Sequence, residues 1–112
     1  MGHRGILVTG GTGLLGRQLV ALLVAQGQTV TLIARTAPAG DWAEGARWIH
    51  ADVAQPRMGL DPGAWSRLAR GTRTVFHLAA RTDFVGTDYE DYCRTNVDGT
   101  RHAAEFAAEA DA

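Results

Sequence analysis

Three glycines at three-residue spacing, Gly10, Gly13 and Gly16, join the short apolar run Ile6-Leu7-Val8 to a longer apolar segment that begins at Leu14. Such a turn handles an anion with backbone alone. Gly10 permits a tight exit from a strand, Gly13 removes the Cβ that would keep amides away from a diphosphate, and Gly16 lets the following helix pack closely. The mouth of that helix adds unpaired N–H donors and partial positive charge. Arg35 closes a second β-rich run, about 20 residues beyond the turn, where a residue reads the adenosine ribose. A carboxylate there would pair with a free 2′-hydroxyl, whereas a guanidinium clamps a 2′-phosphate through charge-assisted bonds. Arg35 therefore points to NADP, with NAD as the alternative. Asp52, in Ala51-Asp52-Val53, is placed to accept from an adenine amino group while Val53 lines the ring. A turn-forming aspartate is the other reading of that residue.

These residues need a frame that brings them to one crevice. Runs at 6–8, 29–34, 47–51 and 74–79 are rich in β-branched and apolar residues and predict four strands. The first is apolar throughout, as expected of a strand buried on both faces. Residues 14–26 predict a helix with Leu15, Leu19, Leu22 and Leu23 inward, Arg17, Gln18 and Gln26 toward water, and Gly27 at its end. Residues 36–45, rich in Ala, Gly and Pro, read as a loop with at most a short helix. Asp61 caps a short helix that has Pro62 at its first position and Trp65, Leu68 and Ala69 on its inner face. Residues 88–110 predict a long helix whose Tyr92, Asn96, Gly99, Ala103 and Ala107 form a face of mostly small residues, suited to lying close to a sheet. Strands alternating with helices imply parallel pairing through right-handed crossovers. The expected fold is a Rossmann-type, doubly wound α/β sheet of strand order 3-2-1-4.

A chain of 112 residues fits one domain, and residues 1–112 are expected to form a single dinucleotide-binding unit that stops before a further strand. A net charge of -1 provides no global field for nucleic acid or an anionic membrane, so any anion site is local. No apolar run approaches the ~20 residues needed to span a bilayer. The single cysteine, Cys93, rules out an internal disulfide and suits a reducing, cytoplasmic compartment. The four histidines, at 3, 50, 77 and 102, lack metal-ligand spacing, so no metal site is expected. His77, in an apolar strand, reads as a satisfied core histidine rather than a base.

Thr9 to Gly16 resembles the TGxxGxxG signature of the extended short-chain dehydrogenases/reductases. The likeness continues in family order through Ala51-Asp52-Val53, His77-Leu78-Ala79-Ala80 and Asn96-Val97-Asp98-Gly99-Thr100. Pro56-Arg57-Met58-Gly59-Leu60, followed by Trp65 and Leu68, and then Arg81-Thr82-Asp83-Phe84, resemble the thioester-reductase and fatty acyl-CoA reductase branch. The sugar-nucleotide epimerase and dehydratase branch shares the general motifs and is the alternative. The resemblance implies Gly10, Thr12, Gly13, Leu14 and Leu15 around the diphosphate and Ala79 and Ala80 beside the nicotinamide ribose, with Leu78 and Gly16 also among the cofactor-binding residues. It also implies NADPH-dependent reduction of an acyl thioester on a carrier protein or CoA, with Asn96 supporting the active-site region.

The family's acid–base pair is a tyrosine followed four residues later by lysine, whose charge lowers the phenol pKa. All 11 basic residues of the Lys and Arg class here are arginine. Tyr89 has Cys93 at that spacing and Tyr92 has Asn96, and the lone serine, Ser66, precedes the fourth strand instead of following a fifth. No catalytic residue is therefore assigned to this chain. Three readings follow: an enzyme half completed by a second chain, a non-catalytic nucleotide-binding module, or a gene remnant. The fourth strand is expected to offer an unprotected sheet edge, through which copies of the chain could associate.

Overall fold

A computed structural model describes residues 4–79 and 88–112. Four parallel strands, β1 (Gly5–Thr9), β2 (Val30–Ala34), β3 (Arg47–His50) and β4 (Thr72–His77), form one sheet in the order β3-β2-β1-β4. This is the Rossmann-type arrangement that the alternation of strands and helices predicts. β1 lies in the middle, and all five of its residues are buried. Ile6 and Val8 join the core on one face with Val20, Leu23, Val30 and Leu32. Leu7 joins the other with Met58, Trp65, Phe106 and Ala110.

Helix α1 (Leu14–Ala25) covers the first face. It ends in a Schellman motif: Gln28 N donates to Leu23 O at 3.0 Å and Gly27 N to Val24 O at 2.9 Å, with Gly27 at φ +80°. Its inner stripe differs from expectation. Gly16, Val20 and Leu23 are buried, with Leu19 packed beside them, whereas Leu15 and Leu22 are 67% and 55% exposed. The reason is Gly16. An added Cβ there would lie 2.3 Å from Gly10 O and 2.6 Å from Gly11 Cα, so the helix sits backbone to backbone on the turn and its rotation is set there.

Helix α2 (Pro62–Arg70) is capped as expected, with Asp61 Oδ1 accepting from Ala64 N at 2.8 Å. Trp65 packs edge-on against Phe106, their ring centroids 5.1 Å apart. The last helical region is not one continuous α-helix. It comprises α3 (Tyr89–Cys93), a π-helical turn (Arg94–Asp98) and α4 (Gly99–Ala110). Gly99 and Ala103 are buried as expected, but the anchors of that face are His102 and Phe106, and Ala107 lies at its margin. Phe106 fills the space above Met58 and Trp65 that a face of small residues alone would leave open.

β4 spans Thr72–His77, so it begins earlier than expected and ends before Leu78 and Ala79. Beyond the strand Leu78 N still donates to Thr9 O at 3.0 Å, and the Thr9 hydroxyl accepts from the amides of Leu78 and Ala79 at 3.2 and 3.3 Å.

Candidate functional site

The C-terminal ends of β1, β2 and β4, with the loop after β3, surround a cleft of about 270 Å³. This is where ligands bind in open α/β sheets. Gly10, Thr12, Gly13, Arg35, Asp52, Val53, Leu78 and Ala79 line it, eight of the positions singled out from the sequence.

Each wall has a local cause. Gly10 takes φ +74°, and a Cβ on it would lie 2.4 Å from both Ala79 N and Leu78 C, so the turn is pressed against the chain leaving β4. Gly13 differs: the nearest atom to an added Cβ is Gly10 O at 3.5 Å, so its Hα side faces space that only a ligand or water would fill. Gly13 is also the N-cap of α1, and no side chain caps that helix. Its first-turn amides are left for an external acceptor.

Asp52 serves as a turn former whatever else it does. Its Oδ1 accepts from Ala54 N at 2.9 Å and its amide donates to Met58 O at 2.9 Å. Val53 is held from behind, its carbonyl accepting from His102 Nδ1 at 2.6 Å and its side chain packed on Gly99. Arg35 follows β2 with an exposed side chain and makes no ion pair among the described residues.

Three of the expected residues do not line the cleft. Leu14 and Leu15 point to water, 81% and 67% exposed, and Gly16 is buried beneath the turn, where it packs without reaching the cleft. Ala80 and the segment 81–84 lie outside the described residues. Ile33, Ala34, Ala51 and Thr95 also line the cleft and were missed. Ala34 and Ala51 adjoin Arg35 and Asp52, and Ile33 lies one residue further back in β2. Thr95 is brought in by the π turn, which helical spacing does not forecast.

His77 is satisfied on both ring nitrogens, Nδ1 by Thr9 Oγ1 at 2.7 Å and Nε2 by Thr100 Oγ1 at 3.3 Å. Burial lowers its pKa from the ordinary 6.5. Tyr89 is exposed, and its hydrogen bond with Cys93 raises the phenol above the ordinary value. Among the described residues no cluster of His, Cys, Asp and Glu could hold a metal, and no helix is long and apolar enough to cross a membrane.

Fold and cleft together define an NAD(P)-binding domain of the short-chain dehydrogenase/reductase type. The profile of the NAD-binding family described as Male sterility protein matches residues 39–112, beginning after the glycine turn. The chain belongs to that family, within the extended, thioester-reductase-like reductases. Ceramide reductase of Caulobacter vibrioides is 36% identical over 115 residues, which cover 97% of this chain and 33% of that protein. A hybrid PKS-NRPS synthetase of a Pyrenochaetopsis species is 31% identical over 114 residues, 96% of this chain and 3% of the synthetase. Among solved structures, the terminal R domain of the myxalamid PKS-NRPS pathway superposes with a TM-score of 0.82 at 25% identity, over 96% of this chain and 32% of that one. MoeE5 in complex with UDP-glucuronic acid and NAD gives 0.77 at 29% identity, over 95% and 33%. The chain thus spans a third or less of the length of these relatives.

Proposed function

We propose that this chain is the NADP(H)-binding part of an extended short-chain reductase acting on acyl thioesters bound to a carrier protein or CoA. The observation that carries the cofactor half is the cleft itself. An uncapped helix mouth with open space at Gly13 and an exposed arginine at the adjacent strand end share one crevice, and each fits a part of a phosphorylated dinucleotide. Gly10, Thr12 and Gly13, with the amides of Leu14 and Leu15, hold the diphosphate, and Gly16 keeps the helix at the right distance. Arg35 takes the 2′-phosphate, Asp52 and Val53 the adenine, and Leu78, Ala79 and Ala80 the nicotinamide ribose. Bound there, the cofactor supplies hydride. The thioester substrate is supported by kinship with the PKS-NRPS R domain and synthetases.

None of residues 1–112 is assigned the proton-transfer role, because the Tyr-x-x-x-Lys pair is not among them. A segment outside these residues, on a second chain or otherwise, supplies it. Calorimetry tests the cofactor reading. NADPH is expected to bind about 10- to 100-fold tighter than NADH, the worth of a charged hydrogen-bonded pair, and Arg35→Glu is expected to reverse the order. Equal affinities in the wild type would refute NADP selection.

The second reading is a sugar-nucleotide epimerase or dehydratase portion using NAD. It is favoured by the likeness to NAD-bound structures that also hold UDP or a UDP-sugar. A preference for NADH would support it.

A further inference from the structure

We propose that His77 is a positioning residue for the cleft, held as the neutral Nε2–H tautomer between two threonine hydroxyls so that the Thr9 oxygen stays turned toward the Ala79 amide. The inference rests on reading the cleft as a dinucleotide site. Bond directions follow from the Thr100 end. The Thr100 hydroxyl donates to Asn96 O at 2.6 Å, so toward His77 Nε2, 3.3 Å away, its oxygen can only accept. The neutral ring therefore bears its hydrogen on Nε2 and leaves Nδ1 bare. Thr9 Oγ1, 2.7 Å from Nδ1, donates its proton there and accepts from Ala79 N at 3.3 Å, with a share of the Leu78 N–H at 3.2 Å. The series runs from the exit of β4 through β1 and the imidazole to α4, where α4 meets the π turn.

The consequence falls on one peptide. Leu78 N has a second acceptor, Thr9 O at 3.0 Å, whereas Ala79 N is held by the hydroxyl. That peptide is the surface against which Gly10 packs, since a Cβ on Gly10 would lie 2.4 Å from Ala79 N. If the imidazole no longer orients Thr9, the wall of the cleft beside the glycine turn shifts. His77 touches no ligand in this scheme and acts through Thr9.

Nitrogen NMR of the 112-residue chain is expected to find His77 Nδ1 as a bare acceptor and Nε2 bearing the hydrogen. His77→Leu, which has no acceptor, should weaken NADPH binding about tenfold and speed exchange of the Ala79 amide. His77→Asn, whose Oδ1 can stand where Nδ1 stood, should stay within about threefold of wild type. Thr9→Val should repeat the leucine effect, and the double variant should add little to either single one. A hydrogen on Nδ1 overturns the proposal, as does a His77→Leu chain with wild-type NADPH affinity and wild-type exchange at Ala79. A wild-type chain that binds neither NADPH nor NADH refutes the dinucleotide reading instead, and the tautomer and Ala79 exchange then decide the positioning role by themselves.

Discussion

The glycines of the turn look alike in the sequence and do different work in the structure. Gly10 and Gly16 are structural: a Cβ on either meets backbone at 2.4 Å or less, and Gly10 also needs its positive φ. Gly13 has room for a methyl group but faces the cleft. Substitution should separate the roles. Gly10→Ala is expected to destabilise the fold by more than about 2 kcal/mol through strain and clash. Gly13→Ala should leave the urea midpoint nearly unchanged and weaken NADPH binding. A Gly13→Ala chain that binds like wild type would argue against a diphosphate at that place. His77 supplies a second residue-scale outcome. Burial holds its folded-state pKa below 6.5, so as pH falls through that value the unfolded chain takes up a proton that the folded chain declines. Stability is therefore full above the unfolded pKa and is lost as pH falls toward the folded one. Urea unfolding at about pH 7.5 and about pH 5.5 should show a larger loss in wild type than in His77→Asn, and equal losses would contradict the assignment.

At the scale of elements, the P-x-x-G-L segment lies behind the cleft and holds the Asp52 turn through Met58 O. Arg57, Met58 and Gly59 are all left-handed, at φ +53°, +56° and +78°, a conformation costing roughly 1–2 kcal/mol per non-glycine residue. The compensation is visible: the Met58 side chain is fully buried with Trp65 and Phe106, and its carbonyl accepts from Asp52 N. Met58→Ala should cost about 2–5 kcal/mol in urea unfolding. It should also loosen the Asp52 turn, seen as faster exchange of the Asp52 amide. A loss below about 1 kcal/mol would mean that the segment is held by something else. The π turn also shapes the site. It breaks what the sequence presents as one helix, and the break carries Thr95 to the cleft.

For the molecule as a whole, the sheet has two outer strands, β3 and β4. Phe76 and Val75 on β4 are only partly buried, and among the described residues β4 pairs with β1 alone. An edge of that kind templates pairing with another strand. Sedimentation of the 112-residue chain should therefore show concentration-dependent association, and Val75→Lys should reduce it. A wild-type chain that stays monomeric across the concentration series would contradict this. The same edge is the natural seat for the segment that completes catalysis under the proposed function.

Sheet order, the capped α2, the Schellman end of α1 and most of the cleft's lining were readable in the sequence. Each depends on local rules: strand-helix alternation, cap residues, and glycines at fixed offsets, which act through backbone within a few residues. Family membership was likewise legible, from motifs in order along the chain. The tertiary structure alone decided which face of α1 turns inward, that Phe106 and His102 anchor α4, that Thr95 reaches the cleft, and that His77 lies between Thr9 and Thr100. Those outcomes depend on contacts between residues far apart in sequence. A glycine lying on a turn, a ring filling a gap between helices, or a hydroxyl giving its proton to an imidazole has meaning only once those partners have been brought together.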